Sequence, residues 1–192
     1  MVAAGVVVII DTMKSAVAAA AVAEGAHIIN DVTALADPAM AELCAVSGVG
    51  VVLMHMQGDP QTMQLDPRYE NVTVETAAYL EDRVSRAQLA GVAAARICID
   101  PGIGFGKNDD GNLRLLAALP ELAATGHPVV IGPSRKSFIG RLTGAPVDDR
   151  LGGTLASLIP AVGLDRVVVR VHDTGAAVQF LELARRVRES AA

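Results

Sequence analysis

The sequence predicts a parallel α/β fold, and three observations point to it. Six short apolar runs recur along the chain, at residues 6–10, 27–29, 49–54, 96–99, 128–131 and 166–171. Most are rich in Val and Ile and run continuously apolar without strict alternation, as strands buried on both faces of a parallel sheet do. Ala- and Leu-rich stretches with helical spacing separate the runs, and polar residues follow each one.

In chain order, the first run leads to a helix over residues 15–24. The second leads to a helix over 38–46, with Asp37 as its N-cap and Pro38 at the first helical position. Further helices are expected at 74–89, 112–124, 151–162 and 176–188. Gly25, Gly91, Gly126 and Gly163 follow helical stretches, where a left-handed residue commonly ends a helix. The Ala-rich face of residues 16–23 is read as packing on the sheet rather than on a partner. Strand and helix thus alternate six times, which calls for parallel strands. No linker or low-complexity tract interrupts the alternation, so residues 1–192 read as one domain. An open doubly wound sheet and a (β/α) barrel both fit. The cluster Asp100-Pro101-Gly102-Ile103-Gly104-Phe105-Gly106-Lys107 is spaced G-x-G-x-G, which is not the dinucleotide fingerprint, and no P-loop occurs.

Composition narrows the function. The chain carries 16 basic and 21 acidic residues, a net charge of -5, 3% aromatics and no Trp. It offers no basic run to track a phosphate backbone and few platforms for base stacking. The apolar start, residues 1–10, has no basic flank or cleavage site and reads as a strand rather than a signal peptide. No apolar stretch approaches the ~20 residues that span a bilayer. Cys44 and Cys98 sit in apolar surroundings and read as reduced core residues of a cytoplasmic protein.

The polar residues at the strand ends carry the chemistry. Asp11, Thr12 and Lys14 follow the first run, Asn30 and Asp31 the second, His55 and Gln57 the third, and Asp100 the fourth. Gly132-Pro133-Ser134-Arg135-Lys136-Ser137 follows the fifth, and Arg170, His172 and Asp173 the sixth. In a parallel α/β protein these ends share one side, where barrels place their active sites. A single strand-end Asp can simply cap a helix; six occupied ends point to a site. Asp11, Asn30 and Asp100 supply carboxylate and amide groups for a flat heterocycle with several N–H donors. Lys136, Arg170 and His172 suit an anion such as phosphate. His27 and His127 fall at the opposite, structural end. His55 is left open between packing and site, and Met54 between core filler and a face for the ring.

These segments resemble the dihydropteroate synthase family. The resemblance rests on Ile10-Asp11-Thr12-x-Lys14, Ile28-Ile29-Asn30-Asp31, Leu53-Met54-His55-Met56-Gln57-Gly58 and the Asp100–Lys107 segment. It rests further on Gly132-Pro133-Ser134-Arg135-Lys136-Ser137-Phe138 and Arg170-Val171-His172-Asp173, all in the family's order. It implies a TIM-type (β/α) barrel of which six of eight parallel strands are present. It implies condensation of 7,8-dihydropterin-6-ylmethyl pyrophosphate with p-aminobenzoate. Asp11, Asn30, Met54, Asp100 and Lys136 would form the pterin pocket. Arg170 and His172, with Asn30, would hold the pyrophosphate, and Phe105, Lys136 and Ser137 would border the p-aminobenzoate site. Lys136, Arg170 and His172 are thereby the catalytic candidates. A homodimer through the last helices and Mg2+ are also implied. Two family motifs, Asn-x-Thr-x-Asp-Ser-Phe and Glu-Ser-Thr-Arg-Pro-Gly, do not occur here. The resemblance places them, with the Mg2+ ligand, before residue 1, so the chain is expected to be an N-terminally truncated body with weak or no turnover alone. A non-catalytic pterin-binding homologue and a pterin-dependent methyltransferase are the alternatives. Lys136 and the Arg170–His172 pair argue against the methyltransferase, because a methyl-carrying folate brings no pyrophosphate.

Overall fold

The computed structural model describes residues 5–58, 61–63 and 65–191. Of the opening segment read as a strand, residues 1–4 lie outside the described residues. The chain divides into two compact units, Met1–Met56 with Val74–Pro101, and Gln57–Thr73 with Gly102–Ala192.

The first unit alternates β1 (Ile9–Asp11), α1 (Ser15–Ala23), β2 (Ile28–Asp31), α2 (Pro38–Ser47), β3 (Gly50–Met54), most of α3 (Val72–Leu89) and β4 (Ile97–Asp100). The strands pair in chain order and every pairing is parallel. Ile29, Val51, Leu53, Ile97 and Ile99 are buried along β2 to β4, as their continuous apolar runs require. The outermost strand, β1, departs from that expectation, with Ile9 50% exposed. Asp37 caps α2 as predicted: its carboxylate accepts the Ala39 N–H at 3.0 Å, and Pro38 opens the helix. Gly25 and Gly91 take φ of 91° and 99° after their helices.

The second unit holds α4 (Asp109–Ala117), α5 (Leu119–Ala123), β5 (Val129–Ile131), α6 (Ser137–Thr143), α7 (Leu151–Ala156), β6 (Val167–Val169) and α8 (Thr174–Ser190). β5 and β6 pair in parallel. Val72, Ile103, Leu115, Leu116, Phe138 and Ile139 form one buried cluster, with Tyr69 against it. Two expectations are corrected here, and one helix was not foreseen. The helix expected at 112–124 is two helices that break at Ala118, because Pro120 in the first turn of α5 has no N–H to continue the ladder. The α-helix expected at 151–162 stops at Ala156 and gives way to a 3₁₀ turn, Ile159–Ala161, built around Pro160. Residues 137–143, for which no helix was expected, form α6. Phe138 and Ile139 bury its inner face, and left-handed Gly144 ends it.

Both cysteines are free; Cys44 on α2 is buried and Cys98 on β4 is half-buried. Burial, with the negative charge of Asp31 adding to it, pushes the Cys44 thiol from 9.0 up to about 11. A raised folded value makes its contribution full below 9.0 and lost as pH rises through about 11. Urea unfolding of wild type and Cys44→Ala across that window should therefore show the difference between them shrinking by up to about 1.4 kcal/mol per pH unit. A difference independent of pH would contradict a buried, protonated thiol.

Candidate functional site

In the first unit the parallel register aligns the strand-end candidates. Asp11 pairs with Asn30 across β1 and β2, and Met54 with Asp100 across β3 and β4. Asn30 Nδ2 donates to Asp11 Oδ2 at 3.0 Å, which fixes the amide's orientation and holds the carboxylate. Asn30, Met54 and Asp100 are buried, whereas Asp11 is exposed. The ladders run one residue past the strands: Thr12 N donates to Asn30 O at 3.1 Å and His55 N to Asp100 O at 2.9 Å.

Other candidates near these ends are occupied with structure. The Asp31 carboxylate, fully buried, accepts from Thr33 N, Thr33 Oγ1 and Leu35 N at 2.7–3.0 Å. It thereby stabilises a turn in which Ala34 and Leu35 both have positive φ, and Arg83 Nε adds a bond to Ala34 O at 2.6 Å. His55 is buried edge-on to Tyr79, with ring centroids 4.9 Å apart, in a packing role. Thr12 Oγ1 accepts the N–H of exposed Lys14. His27 Nδ1 accepts the Val8 N–H at 3.1 Å, in keeping with its structural reading.

In the second unit the three alternating glycines explain the G-x-G-x-G cluster. Gly102, Gly104 and Gly106 have φ of 69°, 81° and 60°, a conformation that disfavours side chains. At Gly104 a Cβ would lie 2.9 Å from Lys136 Cδ, so the missing side chain makes room for the lysine stem. At Gly106 a Cβ would lie 2.7 Å from Gln57 O. Gln57, singled out as chemical, is a latch: its amide donates to Arg68 O at 2.7 Å and accepts from Arg68 N at 2.8 Å. Buried Asn112 accepts the Gly104 N–H at 2.6 Å and donates to Asn108 O, and buried Lys107 donates to Phe105 O at 2.8 Å. The loop so fixed puts the Phe105 ring 3.8 Å from Lys136 Nζ, a cation–π contact.

The Ser134–Lys136 segment and the Arg170–Asp173 segment are stitched together. Arg170 N donates to Ile131 O at 2.8 Å, extending the β5–β6 ladder, and the Arg170 guanidinium lies on Gly132, where a Cβ would come 3.0 Å from Nη2. Buried Ser134 Oγ lies 2.8 Å from His172 Nδ1 and 3.2 Å from His172 N. Oγ accepts the backbone N–H; in the Nε2–H tautomer of the neutral ring it would also donate to Nδ1. Arg135 and Asp173 form a bidentate pair at 3.0 Å. Ser137 is exposed at the start of α6. Ser134, Arg135, Asp173, Arg150 and Asn112 were not among the expected site residues; Ser134 contacts His172 and Arg150 reaches the Lys136 carbonyl, whereas Arg135, Asp173 and Asn112 fix the segments beside candidates. Ser134 and Asp173 were visible in the two segments that carry the resemblance, whereas Arg150 and Asn112 carried no local signal.

Several known proteins resemble this chain. A family model described as pterin binding enzyme matches residues 2–172. Dihydropteroate synthase of Escherichia coli (strain K12) is 40% identical over 174 residues, covering 91% of this chain and 62% of the relative. The Yersinia pestis dihydropteroate synthase, solved with a sulfonamide drug complex, superposes with a TM-score of 0.91 at 36% identity, over 96% of this chain and 67% of that one. The Thermus thermophilus dihydropteroate synthase, solved in complex with 4-aminobenzoate, gives 0.90 at 43% identity, over 96% of this chain and 72% of that one. The chain spans about 62% of the length of the Escherichia coli relative. Its fold class is that of the α/β, TIM-type barrel, with six strands among the described residues.

Ser134→Ala tests the stitch directly. In 15N spectra of the wild type, neutral His172 should carry its proton on Nε2; in the variant the two tautomers should mix, with the fold retained. A wild-type ring already mixed would refute the assignment.

Proposed function

The chain belongs to the pterin-binding enzyme family, and from that membership we propose that it is a dihydropteroate synthase body. It would condense 7,8-dihydropterin-6-ylmethyl pyrophosphate with p-aminobenzoate to give 7,8-dihydropteroate and pyrophosphate. The observation that carries the reading is the division of charge at the strand ends. Amide and carboxylate groups, Asp11, Asn30 and Asp100, stand on the first unit's strands. Lys136, Arg170 and His172 belong to the second unit, where hydrogen bonds and packing fix each of the segments that carry them.

The chemistry follows from these groups. Asp11, Asn30 and Asp100 meet the N–H donors of a reduced pterin, with Met54 at its face. A ring lacking those donors forgoes these bonds, which is how such a site discriminates. Arg170 and His172 meet the pyrophosphate oxygens. As the bond between the pterin methylene and the pyrophosphate oxygen lengthens, negative charge grows on the leaving group, and fixed cationic donors stabilise it without reorganising. The arylamine nitrogen attacks the electron-poor methylene and then loses its proton. Phe105, the Lys136 stem and Ser137 border the arylamine, so no protein nucleophile is required. Among the described residues no group of three or more His, Cys, Asp or Glu comes together to hold a metal. Mg2+ is usually held by one or two carboxylates together with substrate phosphates, and no step is routed through it here.

Two further features support the reading's setting. No helix among the described residues is long and apolar enough to cross a membrane, and the free cysteines suit the reducing cytoplasm. We also propose a homodimer through α8, whose Val178, Leu183 and Val187 are each more than 60% exposed.

Binding is the direct test. A pterin pyrophosphate analogue at a hundredfold excess over its dissociation constant should stabilise the chain by about 2.7 kcal/mol and raise its melting midpoint. Asp100→Asn should cut that affinity by at least tenfold, since it replaces a charged acceptor with a weaker one (about 1.4 kcal/mol or more). No shift with the wild type, in a chain that melts cooperatively, would refute pterin binding.

A further inference from the structure

Lys136 follows a residue held in a strained conformation, and the groups that hold it come from α7 and its N-cap. Arg135 has a φ of 57° and occupies the third position of a four-residue turn, which Lys136 N closes by donating to Pro133 O at 3.2 Å. A positive φ at that position is usually supplied by glycine. A residue with a side chain keeps it only when its surroundings hold it there. Thr154 of α7, 1% exposed, accepts the Arg135 N–H on Oγ1 at 3.0 Å. Arg150, at the N-cap of α7, donates from Nη1 to Arg135 O at 3.0 Å and to Lys136 O at 3.5 Å. Thr154 thus fixes the N–H of Arg135 and Arg150 its carbonyl, while the Arg135 side chain is engaged separately by Asp173. The platform is itself closely seated. A Cβ at Gly153 of α7 would overlap Ile139 Cγ2 of α6, and one at Gly140 of α6 would overlap the Arg150 guanidinium.

The turn decides where the lysine goes. Beyond it the Lys136 stem lies over Gly104, where a Cβ would come 2.9 Å from Cδ, and Nζ stands 3.8 Å from the centre of the Phe105 ring. Were Arg135 to relax to a negative φ, the chain would leave the turn in another direction and carry that stem off the glycine. We propose that Thr154 is a positioning residue for Lys136: with Arg150 it holds the left-handed turn that lays the lysine across Gly104 onto Phe105. This rests on the proposed function, in which Lys136 belongs to the pterin pocket and its stem borders the arylamine. An ammonium already in place need not be ordered when the ligand arrives, and that saving appears as affinity. Thr154 is buried and acts through Lys136 rather than on the ligand.

Thr154→Val keeps the buried shape and removes the acceptor. Two measurements separate positioning from a merely structural role. In spectra of the chain with 13C-labelled lysine, the Lys136 methylene beside the ammonium should be shifted upfield by the Phe105 ring; Lys136→Ala identifies the signal. Thr154→Val should abolish that shift, and Thr154→Ser, which keeps the hydroxyl, should restore it. Titration with 7,8-dihydropterin-6-ylmethyl pyrophosphate gives the second. Thr154→Val should weaken binding about tenfold when Lys136 is present and by less than about twofold in the Lys136→Ala chain, because a residue that acts through Lys136 has nothing to act on once it is gone. Should Thr154→Val fail to melt cooperatively, Arg150→Lys, which loses the forked contact to the two carbonyls, is read in its place with the same outcomes. A Lys136 signal that stays upfield in the variant, or an equal loss of affinity with and without Lys136, overturns the proposal. A wild-type chain with the upfield signal and no affinity for the ligand refutes the pterin reading instead, and the hold of Thr154 on Lys136 then stands or falls on the spectra.

Discussion

Parallel strand register is the constraint on which the remaining arrangement depends. Parallel strands bring all their carboxyl ends to one edge, and a fixed register decides which residues stand abreast there. In the first unit it sets Asp11 beside Asn30 and Met54 beside Asp100. The ladder bonds that continue past the strands, Thr12 to Asn30 and His55 to Asp100, keep these positions in hydrogen-bonded backbone rather than in free loop. Side chains delivered this way lose little further freedom when a ligand arrives. A slip of one residue would turn each of them to the opposite face and bring apolar neighbours in their place.

The second unit meets the same requirement by other means. Its cations follow β5 and β6; the Arg170 N–H extends the ladder to Ile131 O, and glycines and side chain-to-backbone bonds add the rest of the support. Gly104 and Gly132 give up side chains so that Lys136 and Arg170 can lie on bare backbone. Asn112 and Lys107, both buried, spend their polar groups on the Gly104–Asn108 loop beneath Phe105. A buried polar group left unpaired is costly, so these residues hold the loop in the one shape that pairs them.

Much of this was legible in the sequence, for a physical reason. Apolar runs of three to six residues and helical spacing are local signals, and they located the six strands among the described residues and most helices. Asp37-Pro38 announced its cap, and the polar residue after each run marked where chemistry could sit. Partnership was not legible. Ser134 meets His172, and Arg135 meets Asp173, at a separation of 38 residues, and no local pattern encodes that distance. For the same reason Asp31, Gln57 and His55 looked like reactive groups at strand ends, although their hydrogen bonds and packing serve nearby turns and the core. α6 was hidden because it is one short helix containing Gly140, whose absent side chain accommodates Arg150 rather than serving the helix.

Adjacent cations in the segment Ser134-Arg135-Lys136-Ser137 show how one short run divides its work. Arg135 faces a carboxylate, and the bidentate pair with Asp173 turns its charge inward as a mechanical link. Lys136 lies against the face of Phe105, and an aromatic face orders an ammonium without adding a negative charge to it. Exchanging the two would reverse both properties. A lysine facing Asp173 would lose the planar fork that fixes the angle between segments, and an arginine over Gly104 would carry a broader head into space shaped for a thin stem. The order Arg then Lys thus follows the geometry: the link to Asp173 is forked and flat, and the cation over Gly104 rides on a thin stem against the Phe105 ring.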